Sequence, residues 1–126
     1  MARAATYIRT DLKDELPSAA EQREVLRAFA AEEGHEVVAC YEDLDAPGLL
    51  LYHRPGLKEA INNIKEDEDW EVLLVVYPRC ISDNESAIHE FVHKLSLYNN
   101  RVESPTHTWE AFLSAMKAYR REMSRR

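Results

Sequence analysis

Residues 72–77 read Val-Leu-Leu-Val-Val-Tyr, six apolar side chains in a row with no alternation. A strand with one wet face alternates apolar and polar residues, so an unbroken run calls for cover on both faces, as in the middle of a parallel sheet. Pro78 closes the run, because it has no amide hydrogen to continue a ladder. Six residues are too few to span a bilayer. A parallel sheet needs crossover helices between its strands, and 126 residues are enough for one such domain. The composition agrees: 45% hydrophobic and 31% charged residues with 3 glycines describe a globular chain that can bury a core.

The remaining segments fit that demand. Residues 4–9 read as a first strand, followed by a polar loop, "TDLKDELP". Ser18 and Glu21 have capping-box spacing, in which each side chain serves an orphan amide at a helix start. Val25, Leu26, Phe29 and Ala30 give that helix its apolar face, and Gly34 its stop. "EVVACYED" is a β-branched second strand, and residues 44–56 form a loop. Leu57, Ala60, Ile61 and Ile64 define a second helix that ends in the acidic turn "KEDEDWE". Asp83 is the expected cap of a third helix with the face Ile88, Phe91, Val92 and Leu95. A short fourth strand is expected around Val102, and Ser104-Pro105 opens a last helix by the cap-plus-proline rule. The order βαβαβαβα predicts one α/β domain in three layers, with a mainly parallel sheet of four or five strands and a long C-terminal helix.

That last helix differs from the others. Trp109, Phe112, Met116, Tyr119 and Met123 recur at spacing 3-4-3-4, a heptad-like seam rather than a broad core stripe. Residues 105–126 also carry five basic and two acidic side chains. An aromatic seam with a basic tip predicts a helix that leaves the domain to meet a partner, since large aromatics are costly to leave in water; the alternative is that it folds back onto its own sheet and ends in a solvated tail.

The formal net charge of −7 disfavours indiscriminate attraction to nucleic acid or anionic membrane, but leaves room for a local basic patch. The N-terminal "MARAATYIRTD" lacks the apolar stretch of a secretion signal. Cys40 and Cys80 form neither a metal-type spacing nor a disulfide framework. A cytoplasmic location without a membrane span is expected.

Five segments in register carry a resemblance. They are Tyr7-x-Arg9 at a strand end, Glu21-Gln22-Arg23 opening a helix, "FAAEEGHEVVACYED", "RPGL" at 54–57, and "VVYPR" ending in Arg79. In this order the chain resembles the catalytic domain of the serine recombinases, the resolvase and invertase family, clearly over about residues 5–104 and more loosely beyond. The resemblance implies a dimeric α/β domain whose long C-terminal helix forms the interface and approaches DNA. It also implies metal-free phosphoryl transfer, in which a serine hydroxyl attacks the DNA backbone and arginines stabilise the phosphate. Such chemistry needs a nucleophile in line with phosphorus and guanidinium forks on the non-bridging oxygens.

Carried over by position, the resemblance makes Arg9, Arg54 and Arg79 phosphate-binding candidates. The family's serine falls on Asp11, and its Asp-Arg-Leu-Ser-Arg segment falls on Pro78-Arg79-Cys80-Ile81-Ser82, so an acid and a second arginine are lost as well. The family's Ser-Gly pair falls on Pro47-Gly48. A carboxylate repels an approaching phosphodiester and would have to form an acyl phosphate, so Asp11 is expected to fill the phosphate site by ion pairing. Thr10 is expected on the opposite face of the strand end, and Ser18 is already a helix cap. The resemblance therefore implies a catalytically degenerate domain without a cofactor, acting as a dimeric interaction module. An active strand-transfer domain with its nucleophile elsewhere is the alternative. Members usually carry a separate DNA-binding module after the long helix, and the sequence ends at Arg126. DNA is thus an expected but weakened partner. The boundaries read as 1–104 for the α/β unit and 105–126 for the helix.

"HEFVH" at 89–93 offers a competing motif, because His89 and His93 share a helical face with Glu90 as a possible base, as in zinc hydrolases. No third ligand follows at a fitting place, and His107 and Glu110 are candidates only by availability. Cys80 beside Arg79 invites a reactive-thiol reading, against which stands an ordinary buried cysteine. The acidic run at 66–69 reads as a solvated turn rather than a cation site.

Overall fold

The first strand, β1 (Arg3–Arg9), lies inside a four-stranded parallel sheet. In this computed structural model residues 2–10, 16–44, 54–66, 70–82, 84–105 and 109 are described. Along the chain β1 is followed by α1 (Ala19–Glu33), β2 (Glu36–Asp43), α2 (Pro55–Glu66), β3 (Val72–Leu74), α3 (Glu85–Ser96) and β4 (Arg101–Glu103). The spatial order is β2-β1-β3-β4, with all three pairings parallel.

Alternation along β1 divides the core into two layers. Ala4 and Ile8 face Leu26 and Ala30 of α1, together with Val72, Leu74 and Val76. Ala5 and Tyr7 face the larger layer, built from Leu57, Ala60, Ile61 and Ile64 of α2 and Ile88, Phe91, Val92 and Leu95 of α3. The apolar run is buried from Val72 to Val76, as a strand covered on both faces must be. Its ladder is shorter than the run. After Leu74 one further bond joins Val75 N to Glu103 O at 3.1 Å, and the chain then bends ahead of a 3-10 turn at Pro78–Cys80.

Ser18 supplies the hydroxyl half of the expected box, its Oγ accepting from Glu21 N at 3.2 Å, and Gly34 ends α1 in the left-handed region at φ 74°. Three expectations need correction. Val25 is exposed and Gln22 is buried in its place, because α1 presents Gln22, Leu26 and Ala30 inward. The loop expected to run to residue 56 stops at Arg54, since Pro55 suits the first helical turn and starts α2. The cap of α3 is Asn84, whose side chain accepts from Ala87 N at 3.3 Å, and Asp83 lies outside the described residues. Trp109, the first residue of the aromatic seam, is 5% exposed within its own chain. Its indole packs in the α2–α3 layer while Nε1 donates to Ser104 Oγ at 3.0 Å. The rest of the seam, Phe112, Met116, Tyr119 and Met123, lies outside the described residues.

Candidate phosphate-binding site

Strand order locates the site before any side chain is considered. From β1 the chain passes through α1 to β2 on one side, and only later reaches β3 on the other. The crevice beyond the C-terminal ends of β1 and β3 is therefore a topological switch point, where open α/β sheets bind ligands. Arg9 ends β1, the Pro78–Cys80 turn follows β3, and Arg54 enters from the start of α2.

Both guanidiniums are buried, Arg9 at 0% and Arg54 at 3% exposure. They converge on one stretch of main chain. Arg9 Nη1 donates to Arg79 O at 2.5 Å. Arg54 Nη1 donates to Cys80 O at 2.9 Å, and its Nη2 donates to Ile81 O. Arg54 Nη1 also reaches the Tyr7 hydroxyl at 3.1 Å, and that hydroxyl donates to Asp43 Oδ2 at 2.7 Å. Arg54 Nε is buried with no hydrogen-bond partner among the described residues.

Asp43 is the hub behind the arginines. Besides Tyr7 it accepts from the amides of Gly56 at 2.7 Å and Leu57 at 2.9 Å, capping α2 and fixing that helix to the end of β2. Gly56 is required for this contact, because a Cβ there would lie 2.6 Å from Glu42 O. Burial pushes the Tyr7 phenol far above its ordinary value; the Arg54 charge opposes the rise and Asp43 adds to it. Tyr7 is thus a neutral relay between carboxylate and guanidinium.

Gln22 closes the other side. Its Nε2 donates to Arg9 O and to Pro17 O, both at 2.8 Å, and its Oε1 faces Cys80 Sγ at 3.7 Å. The Cys80 thiol is buried and pushed upward, chiefly by that burial, so it stays protonated and the reactive-thiol reading fails.

The sequence-derived candidates therefore divide. Arg9 and Arg54 come together, while the Arg79 side chain is exposed and contributes its carbonyl to the cluster. Asp11 lies outside the described residues. Gln22 and Tyr7 stood within the motifs without a role, and Asp43 was not singled out. The available signal was a polar residue at each strand end, at the edge where open sheets collect ligands. His89 and His93 sit half-buried on α3, with His89 Nε2 3.7 Å from Glu85 Oε1. No group of three or more potential metal ligands occurs among the described residues. Among the described residues, too, no helix is long and apolar enough to cross a membrane.

Chemically, the crevice gathers guanidinium groups of the kind that stabilise anions, bonded here to main-chain carbonyls and held by a buried polar frame. The model of the "Resolvase, N terminal domain" family matches residues 4–125. No curated protein matches the chain significantly. Among solved structures, the N-terminal catalytic domain of TP901-1 integrase is similar at TM-score 0.75 and 22% identity, covering 96% of this chain and 98% of that one. A resolvase family site-specific recombinase from Streptococcus pneumoniae is similar at TM-score 0.71 and 19% identity, over 99% and 91% of the two chains. The C-terminal catalytic domain of ISC1926 TnpA, an IS607-like serine recombinase, gives TM-score 0.71 and 20% identity over 93% and 79%. At these identities the likeness to the solved structures is one of fold.

Proposed function

The chain belongs to the resolvase N-terminal domain family, and on that footing we propose that it engages DNA phosphodiesters without carrying out strand transfer. One observation carries the reading. Two buried arginines, Arg9 and Arg54, remain at the switch point, while the position that the family resemblance gives to the serine nucleophile holds Asp11. Guanidinium groups favour phosphate oxygens, whereas a carboxylate repels them and cannot form a phosphate ester. The pairing supports recognition with the chemistry removed. The net charge of −7 makes such recognition local rather than general.

The test is a search for a covalent protein–DNA adduct on supercoiled and nicked DNA, with binding followed by fluorescence anisotropy. Binding without an adduct is the expected result. An adduct that disappears on changing Thr10 or Ser18 would establish the active alternative.

Dimerisation belongs to the same reading. It rests on the seam of Phe112, Met116, Tyr119 and Met123, with Trp109 spent inside its own domain. Sedimentation should give a dimer whose mass falls in the Phe112→Ala, Met116→Ala double variant. A wild-type monomer at high concentration would refute it.

A further inference from the structure

The arginines at the switch point already have acceptors, and those acceptors belong to the protein itself. The carbonyls of Arg79, Cys80 and Ile81 take one donor of Arg9 and two of Arg54. With Arg9 at 0% and Arg54 at 3% exposure, a phosphate cannot reach these donors while the carbonyls stay in place. We infer that residues 78–82 form an autoinhibitory strap, which occupies the guanidinium donors in the free protein and must swing away for a phosphodiester to bind. The inference rests on the phosphodiester-binding reading above.

Three features make the strap releasable. Its regular part is a single 3-10 turn, Pro78–Cys80, between β3 and α3, a short element with poorer hydrogen-bond geometry than an α-helix. Its hold on the arginines uses neutral carbonyls, whereas a phosphate oxygen would make charge-assisted bonds roughly twice as strong. The site also keeps one buried donor unused: Arg54 Nε has no partner among the described residues, although the neighbouring Nη2 is engaged by Ile81 O. Nε and Nη2 form one edge of the guanidinium, the edge that takes an oxyanion bidentately. The strap satisfies half of that edge, and a phosphate could satisfy both halves.

The strap carries its own reporter. Cys80 is 0% exposed, at the centre of the segment, and the other cysteine, Cys40, is exposed and can be replaced. In a full-length Cys40→Ser background, alkylation of Cys80 by iodoacetamide reads strap opening. Inorganic phosphate and a short DNA duplex serve as probes, with duplex binding followed in parallel by anisotropy. Cys80 labelling is expected to rise on the order of tenfold as the open population grows with bound probe. A bound duplex with unchanged or slower labelling overturns the strap.

If the duplex does not bind, the phosphodiester reading fails, and the free protein still decides on the strap. Labelling should then proceed by local opening, with a much weaker urea dependence than global unfolding, and Arg54→Lys should accelerate it. Labelling that follows only the global urea dependence in the Cys40→Ser chain overturns the strap, whether or not the Arg54→Lys variant folds.

Discussion

Arg54 and Arg23 place the same side chain in opposite settings. On the outer face, Arg23 of α1 grips Glu42 of β2 with two bonds, at 2.5 and 2.9 Å, while its side chain remains 50% exposed. In the crevice, Arg54 is almost wholly buried and its described bonds go to a phenol and two carbonyls, with the Asp43 carboxylate one hydrogen bond further away. Among the described residues the exposed cation has a direct ion pair and the buried one does not. Water already solvates Arg23, so its ion pair adds little to stability. Arg54 has lost its water, and its charge is held by an arranged frame whose members cannot be removed cheaply. Ideal surface geometry thus marks a dispensable contact, and an indirect buried relay marks an essential one.

The strongest way to break this comparison is Asp43→Ala. It removes the acceptor of three buried donors, Tyr7 Oη and the amides of Gly56 and Leu57, and with it the carboxylate that ends the Arg54–Tyr7 relay. The expected loss is about 3–5 kcal/mol in urea unfolding, with Asp43→Asn losing less because an acceptor remains. A loss as small as that of a surface pair would place the crevice and the outer face on equal terms. Gly56→Ala comes next. The new methyl would meet Glu42 O at 2.6 Å and push α2 away from β2, so a cost of about 1–3 kcal/mol is expected. Because Arg54 lies two residues earlier, the same shift should weaken phosphate binding, checked by the anisotropy titration.

How far these settings were legible from the sequence depends on the kind of signal each element carries. The strands and helices announced themselves through periodicity: "EVVACYED" corresponds to β2, and the apolar face of α2 is buried at all four expected positions. Arg9 and Arg54 were found through motif register. Their burial was not, because a guanidinium at the end of a strand or the start of a helix looks the same in sequence whether it faces water or the carbonyls of residues 79–81. Gln22 was missed for a related reason: a glutamine on a helix reads as surface until the helix is docked. Trp109 left two readings open. Its spacing fits the heptad seam, but spacing cannot distinguish a residue that packs on a partner from one that folds back onto its own sheet.

Between the two extremes stands Glu103, half-buried at the end of β4. It accepts from Arg101 Nε at 2.7 Å and lies 2.8 Å from His35 Nε2. Partial burial works to raise its carboxyl, but the bonds from Arg101 and His35 outweigh that effect and hold it below the ordinary value of 4.5. A carboxyl depressed in the folded state adds stability that is fully present above the unfolded value and is lost as pH falls through the folded one. Unfolding midpoints compared between pH 6 and about pH 3 should therefore drop less in Glu103→Gln than in the wild type. An equal drop in both would remove Glu103 from the acid response.

The smallest expected effect tests the outer face itself. Arg23→Ala deletes the better-looking of the two arginine contacts, yet its urea midpoint should stay within error of the wild type. The Glu42 carboxyl, held low mainly by the Arg23 bond, should return toward its ordinary range, which a carboxylate NMR titration would follow. Any residual effect should vanish in molar salt, where screening shortens the reach of an exposed charge to about 3 Å. Salt should leave the Asp43→Ala loss standing, because a buried relay is screened far less. An Arg23→Ala loss that matches Asp43→Ala and persists in salt would mean that geometry, not burial, ranks the arginines of this domain.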